Sequence, residues 1–111
     1  MPATLSTHVL DTARGTPAAG IGVQLYALNG DDRRLVAATE TNADGRTGTP
    51  LSTSLASGAY ELVFDVATYF ARTHTAAFFD AIPVRFTVAG DGRYHVPLLL
   101  SPWGYSTYRG S

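Results

Sequence analysis

Apolar and polar side chains alternate one by one along several short stretches of this chain. In Tyr60-Glu61-Leu62-Val63-Phe64-Asp65-Val66 the residues Tyr60, Leu62, Phe64 and Val66 share a face, as Ile82, Val84, Phe86 and Val88 do further on. A period of two is the signature of a half-buried strand, so these faces point to a core. Stretches rich in Val, Tyr, Phe and Thr recur at a spacing of roughly 8–12 residues, which suits a sandwich or barrel. The pattern predicts strands at 5–10, 21–28, 34–41, 59–66, 81–89, 93–101 and 104–109, with a further short one after Arg46. Turn formers separate them at Arg14-Gly15-Thr16-Pro17, Asn29-Gly30-Asp31, Asn42-Ala43-Asp44-Gly45, Ser57-Gly58, Gly90-Asp91-Gly92 and Ser101-Pro102. Only 67–73 reads as helix, and 47–57 as a long loop. Pro83 and Pro97 lack an N–H and are expected at an edge or a bulge. The class is all-β.

Composition narrows the picture. A chain of 111 residues suffices for one core, so residues 1–111 form a single domain. The net charge is −1, and the eight basic residues, all Arg, are scattered. That argues against a nucleic acid or an anionic membrane surface as partner. Without cysteine there is no disulfide framework, thiolate nucleophile or Cys-based metal site. The start shows no charged segment followed by an apolar one, and runs such as 96–100 are far shorter than the ~20 residues of a membrane span. The default expectation is a cytoplasmic protein.

Two histidines stand out. On the first strand Leu5, Thr7 and Val9 form the core face, which leaves His8 outward with Ser6 and Leu10. On the strand at 93–101, Tyr94, Val96, Leu98 and Leu100 face the core, and His95 points outward with Pro97 and Leu99. Such a surface suits a partly covered cleft or a subunit contact. Taken on spacing alone, ordinary exposed histidines are the simpler reading. His74 lies in the loop after the helix and is expected to be solvated. Gly20-Ile21-Gly22 is followed by no helix pattern that could receive a phosphate.

Three segments carry a resemblance: Leu5-Ser6-Thr7-His8-Val9-Leu10-Asp11, Asp44-Gly45-Arg46, and the dense ending from Leu98 through Ser101-Pro102-Trp103-Gly104-Tyr105-Ser106-Thr107 to Tyr108-Arg109-Gly110-Ser111. In order, they make the chain similar to the 5-hydroxyisourate hydrolase branch of the transthyretin-like family. The resemblance implies a two-sheet β-sandwich of seven to eight strands with one short helix. It also implies a homotetramer, a dimer of dimers, whose central channel would be lined by the faces carrying His8, Leu10, His95, Pro97, Leu99, Ser106 and Tyr108.

The implied activity is hydrolysis of 5-hydroxyisourate to 2-oxo-4-hydroxy-4-carboxy-5-ureidoimidazoline in urate degradation. The implied catalytic set is His8, Arg46, His95 and Ser111, with Tyr108, Arg109, Gly110, Leu99 and Pro97 around the substrate. The chemistry suits these residue types. Imidazole can take a proton from water near neutral pH and return it to the departing ring nitrogen. Guanidinium offers a charged planar fork to the developing oxyanion. Either histidine can be the base and the other the orienter, and Arg109 can equally anchor the tail. No Gly-x-Ser-x-Gly supports a serine triad, and no His-Glu-x-x-His spacing supports zinc, so neither metal nor cofactor is expected. The alternative is a ligand-binding or transport protein on the same fold, which the fold alone does not separate from the hydrolase.

Overall fold

The computed structural model describes residues 3–111. Alternation in β1 (Ala3–Asp11) is complete: every odd-numbered residue is buried and every even one only partly so. Eight further strands follow, β2 (Thr16–Pro17), β3 (Gly22–Asn29), β4 (Asp32–Glu40), β5 (Ser52–Leu55), β6 (Gly58–Asp65), β7 (Ala81–Val88), β8 (Gly92–Leu100) and β9 (Tyr105–Thr107). The helix α1 (Val66–Arg72) starts at Asp65, whose carboxylate accepts from the Thr68 backbone N–H, and buries Val66, Tyr69 and Phe70. Strand bounds agree with the alternation to within a few residues. The two-residue β2 is an addition, and β5 supplies the short strand expected after Arg46, within the stretch read as loop.

Two sheets form a sandwich. One runs β2-β1-β8-β9 with β5 also on β1, and the other runs β4-β3-β6-β7. Leu5, Val9, Val23, Leu25, Leu62, Phe64, Ile82, Leu98 and Leu100 are wholly buried between them. Each such side chain contributes about 1.5–3 kcal/mol by leaving water. The buried Asp11 closes the next turn by accepting from the Ala13 and Arg14 backbone N–H groups, and its second oxygen accepts from Tyr69 at 2.7 Å, which ties α1 to the first sheet. Pairing is antiparallel except between β1 and β8, which run parallel with Ser6 opposite His95, His8 opposite Pro97 and Leu10 opposite Leu99.

Pro83 lies on β7, an edge strand, as its missing donor requires. Pro97 departs from that expectation. It lies on β8, an interior strand, at the place where pairing with the tail lapses: β9 ends at Thr107 opposite Leu98, and a single bridge resumes at His95 and Gly110. Both contacts keep one register, which sets Tyr108 opposite Pro97, the pair where no N–H is available. The Thr107 hydroxyl donates to the Pro97 carbonyl instead.

Candidate active site

His8 and His95 project from the same face of neighbouring strands, displaced by one pleat. The strand spacing of ~4.8 Å and the rise of ~3.3 Å per residue put their backbones about 8 Å apart. Both side chains are half-buried, and Pro97 and Leu99 lie on the same face as His95.

Arg46 is brought toward this pair, near enough for its charge to act on His95, by a gap in the sheet edge. β2 and β5 cover the two ends of the β1 edge, and between them the turn at 42–46 docks through a bond from the Val9 N–H to the Gly45 carbonyl, 2.9 Å long. Asn42 organises the turn: its side-chain oxygen accepts from the Asp44 and Arg46 backbone N–H groups, and its own N–H donates to the Arg46 carbonyl. Gly45 is buried with φ of 74°. A Cβ there would collide with the Val9 carbonyl and stand 3.2 Å from His8 Cδ2. The Asp-Gly-Arg motif is thus a left-handed turn pressed against the first histidine, with the arginine next in line.

The tail supplies the other wall. The Gly110 N–H donates to the His95 carbonyl at 2.7 Å, and its Cα lies so close to the imidazole that a Cβ would stand 2.5 Å from His95 Cδ2. Register separates the tail residues by face. Ser106, Tyr108 and Gly110 oppose Leu99, Pro97 and His95 on the histidine side, whereas Arg109 opposes Val96 on the other. The Arg109 guanidinium lies 4.4 Å from the ring centre of Tyr94 and donates to the Arg93 carbonyl at 3.4 Å. Of its two expected roles, anchoring the tail is the one the geometry supports, and contact with a ligand beside His95 is not. Ser111 is exposed and ends the chain one residue past Gly110.

Charge and solvation act together on His95. Burial lowers its pKa from the ordinary value of 6.5, and the positive charge of Arg46 and then His8 lower it further. The ring is therefore held neutral, the state able to accept a proton. Alternation did not single out Ser6, yet its hydroxyl lies 2.8 Å from His95 Nδ1. The signal was its place opposite His95, which needs the parallel register and not the sequence alone. His74 is exposed, with φ of 52° at the end of the helix. Among the described residues no three His, Asp or Glu side chains cluster as metal ligands would.

Residues 5–110 match the model of the HIUase/Transthyretin family. The chain belongs to that family. Among its relatives is the 5-hydroxyisourate hydrolase of Deinococcus radiodurans, 57% identical over 96% of this chain and 95% of the relative. Among solved structures, the 5-hydroxyisourate hydrolase of Klebsiella pneumoniae superposes with a TM-score of 0.87 at 38% identity, covering 98% of this chain and 99% of that one. Sea bream transthyretin in complex with thyroxine superposes with a TM-score of 0.90 at 27% identity, covering 97% of this chain and 95% of that one. Backbone similarity is thus no greater to the hydrolase than to the thyroxine-bound member, and membership in the HIUase/Transthyretin family leaves the chemistry to the side chains.

Proposed function

We propose that this chain is a 5-hydroxyisourate hydrolase, and the observation that carries the reading is His8 and His95 on one face of neighbouring strands, with the positive charge of Arg46 acting on His95 from the turn docked beside β1. In this reading His95, kept neutral by burial and by Arg46, takes a proton from water as the water oxygen adds to a ring carbonyl carbon of the substrate. The Arg46 guanidinium stabilises the oxyanion that forms. Collapse of the adduct breaks the ring C–N bond, and His95 returns the proton to the departing nitrogen. His8 orients the water or the ring. Tyr108, Gly110 and Ser111 complete the pocket beside Pro97 and Leu99, with the Ser111 hydroxyl within reach of substrate.

The same reading includes assembly as a homotetramer, a dimer of dimers, in which half-buried Leu10 and Leu99 meet other copies. It includes a cytoplasmic location and no cofactor. No described helix is long and apolar enough to cross a membrane. Carriage of a ligand without hydrolysis is the second reading, favoured by the superposition on a thyroxine-bound relative. The deciding experiment generates 5-hydroxyisourate in situ from urate with a urate oxidase and follows the decay of its ultraviolet absorbance. Accelerated decay supports hydrolysis. Unchanged decay with saturable binding of the compound favours the carrier.

A further inference from the structure

We infer that Ser6 is a positioning residue, which together with the bare backbone of Gly110 fixes the His95 imidazole so that its Nε2 faces the reacting water. This deepens the hydrolase reading and rests on it for the identity of the substrate, though the geometry of the clamp does not depend on that identity.

Nδ1 and Cδ2 are the two ring atoms bonded to Cγ, and each has a neighbour here. The Ser6 hydroxyl lies 2.8 Å from Nδ1, and the Gly110 backbone is packed against Cδ2, where a Cβ would stand 2.5 Å away. With both flanks occupied the ring has little freedom to turn about its Cβ–Cγ bond, and Cε1 and Nε2 form the edge that leads away from the sheet. Gly110 holds the ring by what it lacks. Its φ is not in the left-handed region, and so the reason for a glycine at this position is the space taken by the imidazole.

The Ser6 hydroxyl also suits the tautomer that this chemistry needs, since its oxygen can accept as well as donate. For Nε2 to take a proton from water it must carry the lone pair, which leaves the ring hydrogen on Nδ1, donated to the Ser6 hydroxyl oxygen. An unrestrained imidazole in water prefers the opposite arrangement, with its hydrogen on Nε2. Ser6 and His95 are directly opposed in the parallel β1–β8 register, on strands fixed by core residues on their other faces. The serine is thus held by the sheet and not by a mobile loop.

The test reads the tautomer directly. Nitrogen-15 NMR of the imidazole rings distinguishes Nδ1–H from Nε2–H, and with three histidines in the chain the His95 signals are assigned from the spectrum of His95→Asn. The wild-type protein and Ser6→Thr, which keeps a hydroxyl, should show the Nδ1–H pattern. Ser6→Ala and Ser6→Val should shift toward Nε2–H and lose about tenfold in kcat, the upper scale for one hydrogen bond, with KM changed less than about twofold. Thr and Val are nearly the same shape, so the comparison survives even if Ser6→Ala folds poorly. Retention of the Nδ1–H pattern in the Val variant would overturn the proposal, as would equal loss of kcat in the Thr and Val variants. The spectra are recorded without substrate. A protein inactive on 5-hydroxyisourate would therefore refute the proposed function while leaving this assignment to be decided by the tautomer.

Discussion

Replacing Gly45 by alanine tests whether the 42–46 turn delivers Arg46 to the histidines, and Gly48 three residues later provides the matched control. Both glycines are left-handed, with φ of 74° and 79°. The conformation alone costs an L-residue about 1–2 kcal/mol, offset in part by the ~0.4–1 kcal/mol that alanine removes from the freedom of the unfolded chain. For Gly48 little else is added, because a Cβ there meets only Asn42 Nδ2, 3.9 Å away. Roughly 1 kcal/mol of destabilisation follows. At Gly45 the new methyl would collide with the Val9 carbonyl and crowd Pro17 Cβ at 3.1 Å and His8 Cδ2 at 3.2 Å, so the turn must back away. Its 2.9 Å bond from the Val9 N–H is then lost, about another 1 kcal/mol, and strain brings the sum to ~2–4 kcal/mol. At about 4 °C per kcal/mol for a domain of this size, Gly48→Ala should lower Tm by ~4 °C and Gly45→Ala by ~8–15 °C. Turnover separates them more sharply. A retreat of ~1 Å shifts Arg46 and frees His8, a displacement able to cost ~10²-fold in kcat/KM, whereas Gly48→Ala should stay near wild type. Absorbance decay of 5-hydroxyisourate, measured well below either Tm, provides the comparison. Equal activities in the two variants would show that the turn does not set the position of Arg46.

The remaining expectations use the same assay. His8→Asn, His95→Asn and Arg46→Gln should each lower turnover by ~10²-fold or more with little change in Tm, and near-wild-type rates in both histidine variants would remove the assignment. Because burial and Arg46 hold His95 below 6.5, the acid limb of kcat/KM should lie below that value, and Arg46→Gln should raise the limb measured on its residual activity. A limb unmoved by Arg46→Gln would count against His95 as the base. The same shift has a consequence for stability: below about 6.5 the unfolded chain binds a proton that folded His95 resists, so this group's contribution is complete above that pH and is lost as the pH falls, detectable as a lower urea midpoint. Deleting residues 109–111 should abolish turnover and, through loss of the Arg109–Tyr94 contact, lower Tm by only a few degrees. Full activity in that truncated chain would show that residues 109–111 clasp the tail and take no part in turnover.

Period-two alternation made the sandwich legible because each strand has one wet and one dry face, and the burial of Leu5, Thr7 and Val9 opposite Ser6, His8 and Leu10 follows that rule without exception. What alternation does not carry is pairing. Nothing in either strand's sequence says that β1 and β8 run side by side and parallel, and without that register Ser6 is merely a small polar residue two places before a histidine. Pro97 shows the same limit from the other side. Its missing donor correctly predicts a break in a ladder, yet a break arises at an edge or where a partner strand lapses, and only the tail's path selects the second. That lapse bears on function, because the register continues through it. Pairing ends at Leu98–Thr107 and resumes at His95–Gly110, so Tyr108 and Gly110 stay on the histidine face while Arg109 is turned to Tyr94. Tyr108, Arg109 and Gly110, consecutive in sequence, are thus sorted by parity into two that face the histidines and one that fastens the tail. Extending the chain past Ser111 would leave that fastening intact and still crowd the site, which is the distinction a tagged variant with wild-type Tm and diminished turnover would reveal.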